Sequence, residues 1–460
     1  MTFTLSAADE LDSLATDLDG TLVRPDDPSW DIARQAWHLA VDQRPAAVVI
    51  AQSVRDVQNV VATARRLGLR VAPQSTGHNA GPLGRLAHTI LLKTSSMRAV
   101  HIDPEARLAR VEAGALWMDV TQAAAEHGLA ALAGSAPDVG VAGYTLGGGL
   151  SWLARSHGLA ANSVVGIEVV TADGTVRTAC ADEHPDLFWA LRGGGGSFGV
   201  VTAIEFRLYP ITDVRAGVLF FPVERACEVL EAWRAWLPSV PDAVTSVGRV
   251  LHFPPLPELP PHLSGQSYVV IEAACQLPAG EADALLAPLR ALGPALDTFC
   301  RTPVAELSAL HMDPPGPVPA HGDGMLLAEL SASAVESLAR VAGAERCLAS
   351  VELRHLGGAL APGRAIGGAV DSIDAGFALF AVGMTPDEAS MRTVRSAVDA
   401  VQHAMAPWST GGCYVNFAER RKAGAALFGA ETYERLQEIK AKYDPTDVIR
   451  ANHPVPPAAS

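Results

Sequence analysis

The chain has 460 residues, 49% of them hydrophobic and 18% charged, and a formal net charge of −15. Such a length allows two or three cores at roughly 100–200 residues per domain, and the composition is that of a globular chain. The acidic balance argues against nucleic acid and anionic lipid as partners, and no apolar run approaches the ~20 residues of a membrane-spanning helix.

The amino terminus lacks the basic start and apolar core of a secretory leader. Residues 1–44 are polar at first and then carry a helical stretch over 31–41. Asp17-Leu18-Asp19-Gly20-Thr21 matches the nucleophile motif of haloacid-dehalogenase-type phosphatases. That chemistry needs its first aspartate at the end of a buried strand, and residues 10–16 are polar at helical spacing, so the motif is set aside. From residue 45 helices and strands alternate. The pattern predicts strands at 46–50, 69–72, 90–92, 99–102 and 108–112, and helices at 53–68 and 117–127, closed by Gly68 and Gly128. A strand over 164–171 runs into the turn Asp173-Gly174, then a helix covers 186–191 and a strand 200–208. Pro210 marks a change of style. Longer elements follow: helices at 224–236 and around 386–405, strands at 268–275, 350–356 and 377–383, and exposed proline loops at 252–263 and 314–319. A helix over 431–443 and an irregular tail close the chain. Six cysteines (180, 227, 275, 300, 347 and 413) form no CxxC pair, which predicts reduced, mostly buried thiols in a cytoplasmic protein. There is no metal-ligand spacing.

Three glycine-rich stretches carry the chemistry. The loop at 71–81 exposes the backbone amides of Ser75, Thr76, Gly77 and His78, a run suited to a phosphate or pyrophosphate, with His78 as its one large reactive side chain. Residues 134–149 are too poor in side chains to build a core, and glycines at 140, 143, 147, 148 and 149 let backbone lie against something flat. Gly194 to Gly199 satisfies both the dinucleotide pattern GxGxxG and, from Gly195, the hydrolase elbow GxSxG. Both need a strand before and a helix after. The order here is the reverse, which excludes an NAD-type site and a Ser197 nucleophile.

Taken in order, these stretches resemble a family. Thr76-Gly77-His78 is followed by Asp138-Val139-Gly140-Val141-Ala142-Gly143 and Gly147-Gly148-Gly149, then by 191–202, Tyr414-Val415-Asn416-Phe417 and Tyr443-Asp444-Pro445. This set, spanning residues 40–457, resembles the berberine bridge enzyme-like branch of the vanillyl-alcohol oxidase / p-cresol methylhydroxylase flavoproteins. The resemblance implies an α+β fold of two domains. Residues 1–210 and 412–460 would bind FAD, and 211–411 would cover the flavin with a sheet backed by helices. It implies an FAD-linked oxidase that takes hydride from an alcohol- or amine-bearing carbon of a small organic substrate and passes the electrons to O2. The alternatives are a dehydrogenase with another acceptor and a non-catalytic flavin-binding protein. A monomer or homodimer is expected.

Residue by residue, the resemblance assigns cofactor contacts to Gln74, Ser75, Thr76, Gly77, His78, Asn79, Pro137, Asp138, Val139, Gly140, Gly143, Gly147, Gly148, Val201, Asn416 and Asn452. His78 takes the place of the histidine bonded to the flavin 8α-methyl. The second, cysteine tether of many relatives falls on Ala136, so a single covalent link is expected. Val139 occupies the oxygen-gatekeeper position, where a small side chain goes with oxidase behaviour. Tyr414 is the candidate base or substrate anchor, and Tyr144, which stands where plant relatives carry a histidine, is the second catalytic candidate, offering its hydroxyl or packing. A buried tyrosine needs a nearby cation or coupled hydride loss to act as a base. The lysine of some relatives is missing from 376–383, which leaves Arg354 and His355 as substitutes. Phe377, Phe380 and Trp408 suggest a partly hydrophobic pocket.

Overall fold

The structure, a computed structural model, describes residues 7–364 and 367–459; residues 1–6 of the amino terminus read above lie outside it. Three sheets organise the chain. The first has the order Thr21–Val23, Ala47–Ile50, Thr89–Lys93, Arg70–Gln74, parallel except at its amino-terminal edge. The second is a five-stranded antiparallel sheet built from Val100–Asp103, Leu108–Glu112, Val200–Arg207, Val164–Val170 and Val176–Cys180. The third is an eight-stranded antiparallel sheet that begins at Asp213.

The helix Val54–Leu67 follows its sequence signals. Ser53 caps it by accepting from the Asp56 amide, and Gly68 ends it in the left-handed conformation at φ 65°. Asp56 is fully buried and accepts hydrogen bonds from the amides of Asp19, Gly20 and Gln52. The phosphatase-like motif is thereby accounted for: Asp17 ends the helix Ala7–Asp17, and the turn after it is tied down by Asp56. The expected helix over 31–41 is cut to Trp30–Ala33. Beyond it the amides of Trp37 and His38 donate to the carbonyls of Thr76 and Gly77, so this segment lines the first glycine loop.

In the third sheet, alternation separates two faces. One face packs Leu219, Phe221, Ile271, Val351, Leu353 and Leu379 on the helices Ala226–Trp236, Ala279–Arg290, Ala332–Ala344 and Glu388–Met405. Trp233 is fully buried there, and burial of such a side chain contributes roughly 1.5–3 kcal/mol. It lies flat on Gly248, where a Cβ would come within 2.8 Å of its ring. Phe377 and Trp408, expected in a substrate pocket, belong to this helix-side core, and of the expected aromatics Phe380 faces the other way. That other face turns toward the glycine loops: Ala216, Val247 and Ala274 share a core with Trp152 and Leu153. The carboxyl-terminal segment, from Cys413 to Val455, packs into the core of the five-stranded sheet.

Residues 134–149 contribute more to the core than their composition suggests, because Val141–Leu146 forms a short helix that buries Val141, Ala142 and Leu146. The six cysteines are free, but they are not mostly buried: Cys275 and Cys413 are, while Cys227 and Cys300 are exposed. No helix of the described residues is long and apolar enough to cross a membrane.

Candidate active site

The first strand-loop leaves the parallel sheet at Gln74, and Gly77 turns it at φ 84°. His78 sits at the mouth, with its Nδ1 2.7 Å from the Thr76 hydroxyl. Its ring stacks on Trp37, centroids 3.9 Å apart. Its Nε2 faces Asp138 Oδ1 at 3.5 Å, a charge contact without hydrogen-bond geometry, and Trp37 Nε1 donates to the other oxygen of Asp138 at 2.6 Å. Burial would raise the Asp138 pKa, but the facing His78 imidazole and the Trp37 hydrogen bond outweigh it and hold the carboxyl below its ordinary value.

The second loop crosses the first closely. A Cβ on Gly140 would lie 2.5 Å from Ser75 Oγ, and one on Gly147 would lie 1.9 Å from Asn416 Oδ1. Pro137 and Val139 are pinned by their carbonyls, which accept from the amides of Met118 and Trp117. Asn79 donates to the Val415 carbonyl, and Asn452 donates to the Asn79 carbonyl. Val201 is packed in the core beneath, with Val141 and Leu146.

Buried polar atoms are normally hydrogen-bonded. Gln74 Nε2, Ser75 Oγ, His78 Nε2, Asn79 Oδ1, Asp138 Oδ1 and Thr145 Oγ1 are buried without such a partner, all along these loops. A Cβ added at Gly143 or Gly195 would meet nothing within 4 Å. A large ligand with many polar atoms fits this arrangement, and FAD is such a ligand. The context test on the third glycine stretch also holds: the helix Pro185–Leu191 precedes it and the strand Val200–Arg207 follows.

Above the loops stands Tyr414, 4% exposed. Its hydroxyl accepts from the Gly149 amide at 2.9 Å and from Asn416 Nδ2 at 3.0 Å. Burial raises its pKa, against the pull of these donors and of the Arg354 charge. Tyr144 differs, because its hydroxyl donates to the Leu132 carbonyl and its ring packs edge-on to Trp117. Burial raises its pKa well above the ordinary value.

The two substitute cations separate. His355 points to the helix side, tilted on Phe377, and receives a hydrogen bond from Arg155. Burial and that guanidinium push its pKa down to about 3. Arg354 points to the loops, its guanidinium 5.1 Å above the Phe417 ring, and donates to Ser135 Oγ and Glu352 Oε1.

Arg354 leads into a buried charge network that sequence reasoning missed. His311 bridges two carboxylates, with Nδ1 2.6 Å from Glu272 and Nε2 2.5 Å from Glu352. Arg249 donates to the His311 carbonyl, Ser350 and Glu272. Burial and Arg249 push the His311 pKa down, but Glu272, Glu352 and Asp313 outweigh them and raise it to about 9. Burial would raise the Glu352 pKa, but Arg354, His311 and Arg249 hold it far below its usual range. The alternation of 350–355 could have signalled Glu352 and Arg354 on one face; nothing local pointed to Glu272 or His311.

Comparison with known proteins now decides the family. Residues 45–179 match the family model of the FAD binding domain, and residues 413–456 match that described as berberine and berberine like. The FAD-linked oxidoreductase YgaK of Bacillus subtilis is 30% identical over 459 residues, covering 96% of this chain and 98% of that one. The chain belongs to the berberine-like FAD-linked oxidoreductases. Among solved structures, 6-hydroxy-D-nicotine oxidase from Arthrobacter nicotinovorans is 26% identical with a TM-score of 0.80, over 94% of this chain and 96% of that one. BBE-like 1 from Physcomitrella patens shares the fold, with a TM-score of 0.85 at 21% identity over 98% and 100%. This oxidoreductase therefore has the two-domain flavoprotein fold of the vanillyl-alcohol oxidase / p-cresol methylhydroxylase superfamily and is an FAD-linked enzyme.

Proposed function

We propose that this oxidoreductase is an oxidase of small alcohols or amines whose FAD is tethered through His78 alone. The loop residues 74–79 and 137–148, with Asn416 and Asn452, hold the cofactor. Ala136, where a second tether would need a thiol, supports the single link. Residues 1–210 with 412–460 form the cofactor unit and 211–411 the cover, a division supported by the packing of 413–455 into the five-stranded core. The free cysteines, two of them exposed, favour a reducing cytoplasmic setting.

Bound FAD supplies a hydride acceptor that O2 can reoxidise to give hydrogen peroxide. The observation that carries the reading is the Tyr414 hydroxyl, which accepts two buried hydrogen bonds within the field of Arg354. Those donors and that cation oppose the burial that raises its pKa, so Tyr414 can take the O–H or N–H proton as the neighbouring C–H is lost. Tyr144, its hydroxyl committed to Leu132, packs rather than reacts. Arg354 is held in place by Glu352, Ser135 and the Phe417 face, and with Phe380 it gives the substrate cleft one charged and one aromatic wall.

Anaerobic mixing with a panel of alcohols and amines tests this. A substrate should bleach the flavin absorbance, and admitted air should restore it with one hydrogen peroxide per turnover. Bleaching followed by slow recovery would assign a dehydrogenase, and no bleaching by any alcohol or amine would contradict the reading.

A further inference from the structure

We propose that Asp138, held by Trp37, fixes the His78 tautomer and accepts the proton released when His78 becomes linked to the flavin. This rests on the reading of His78 as the covalent anchor. Three groups surround the imidazole, each with a separate task. The Thr76 hydroxyl faces Nδ1 at 2.7 Å, and Asp138 Oδ1 faces Nε2 at 3.5 Å. Trp37 covers the ring face at 3.9 Å with planes 18° apart. The carboxylate places the ring proton on Nε2, which leaves the Nδ1 lone pair as the nucleophile, accepting from a hydroxyl that can swing aside. A catalytic serine triad uses the same division, with a buried aspartate setting which nitrogen carries the proton.

Asp138 is itself fixed from outside its loop. Trp37 Nε1 donates to its Oδ2 at 2.6 Å, and the Trp37 amide donates to the Thr76 carbonyl at 2.9 Å. The residue that stacks on His78 thus also orients the acid, and it comes from the segment that the sequence marks only as a helical stretch. Asp138 Oδ1 and His78 Nε2 are both buried with no other hydrogen-bond partner, so each is left free to face the other.

The linkage balances as follows. One C–H of the 8α-methyl and the Nε2–H of His78 break, and an Nδ1–C bond forms. The two electrons remain in the flavin ring until dioxygen removes them, and the two hydrogens leave as hydrogen peroxide. Asp138 carries the imidazole proton from Nε2 toward solvent.

The test reads the flavin and not substrate turnover. Each variant is purified with its bound FAD, and the share that stays with acid-precipitated protein is measured, together with the rate at which added FAD becomes acid-stable. Asp138→Asn should bind FAD but link it about 10²-fold more slowly, the usual contribution of a positioned proton acceptor. Asp138→Ala should be equally slow and regain speed with added formate, which packing alone would not produce. Trp37→Phe keeps the stack, loses the hydrogen bond and should be intermediate. Wild-type rates in Asp138→Asn and Asp138→Ala would overturn the proposal, and slow linkage without formate rescue would leave Asp138 only a packing role and overturn its proton transfer. Wild-type protein with all its flavin in the acid supernatant would overturn the reading of His78 and this inference with it.

Discussion

Replacing His311 by glutamine should cost stability in a way that depends on pH, and the dependence identifies the cause. His311 is 2% exposed and wedged between Glu272 and Glu352, themselves 0% and 2% exposed. Its pKa lies at about 9 against an ordinary 6.5, and at about 1.4 kcal/mol per unit the rise corresponds to about 3 kcal/mol favouring the folded state. Because the folded value is the higher one, this stabilisation is complete below pH 6.5 and fades as the pH rises through about 9. Glutamine carries no charge and leaves two carboxylates facing each other. The assay is urea unfolding of wild type and His311→Gln from pH 6 to 10. The gap should be about 3 kcal/mol at the acid end and shrink steadily toward the alkaline end. A gap that stays constant across the range would mean that His311 is neutral in the folded protein, and the argument for a protonated bridge behind Arg354 would fail.

Other substitutions test the site directly. Tyr414→Phe removes the acceptor for the Gly149 amide and Asn416, so unfolding should be easier by about 1–3 kcal/mol and anaerobic bleaching by a substrate slower by about 10²-fold, at unchanged flavin content. Gly147→Ala would press a Cβ onto Asn416 Oδ1 at 1.9 Å, and should lower both the melting temperature and the flavin-to-protein ratio. Lys440, fully buried, donates to the Ser197 and Ile449 carbonyls and to Asp444. Lys440→Met leaves the buried Asp444 carboxylate without its counter-charge, with only the Val448 and Ile449 amides donating to it, and should cost about 3–5 kcal/mol in urea unfolding.

The glycine loops were legible because their signal is local. Gly77, Gly140 and Gly147 approach other chain segments so closely that no side chain is tolerated, and such demands appear directly in composition. The charge network was not legible. Glu272, His311 and Glu352 are 39 and 41 residues from one another in sequence; strand pairing, with Val247 opposite both Glu272 and Arg354, brings the two glutamates together, and His311 reaches them from a turn. The strands Val244–His252 and Asp213–Pro222 escaped because both are buried along nearly their whole length, which removes the alternation that marks a half-exposed strand. Residues 31–41 read as a helical stretch, but past Ala33 the amides of Trp37 and His38 go to the loop carbonyls of Thr76 and Gly77 instead. Phe377 and Phe380 show the limit of composition: three residues apart on one strand, they belong to opposite faces of the sheet.

The central claim is that one histidine holds the flavin by itself. Purified protein precipitated with acid and digested should give a yellow pellet in which the peptide carrying His78 is heavier by one FAD. The peptide containing Ala136 should be unmodified, and His78→Ala should release all its flavin to the supernatant. A colourless pellet from the wild-type protein, or a flavin mass on a peptide without His78, would contradict it.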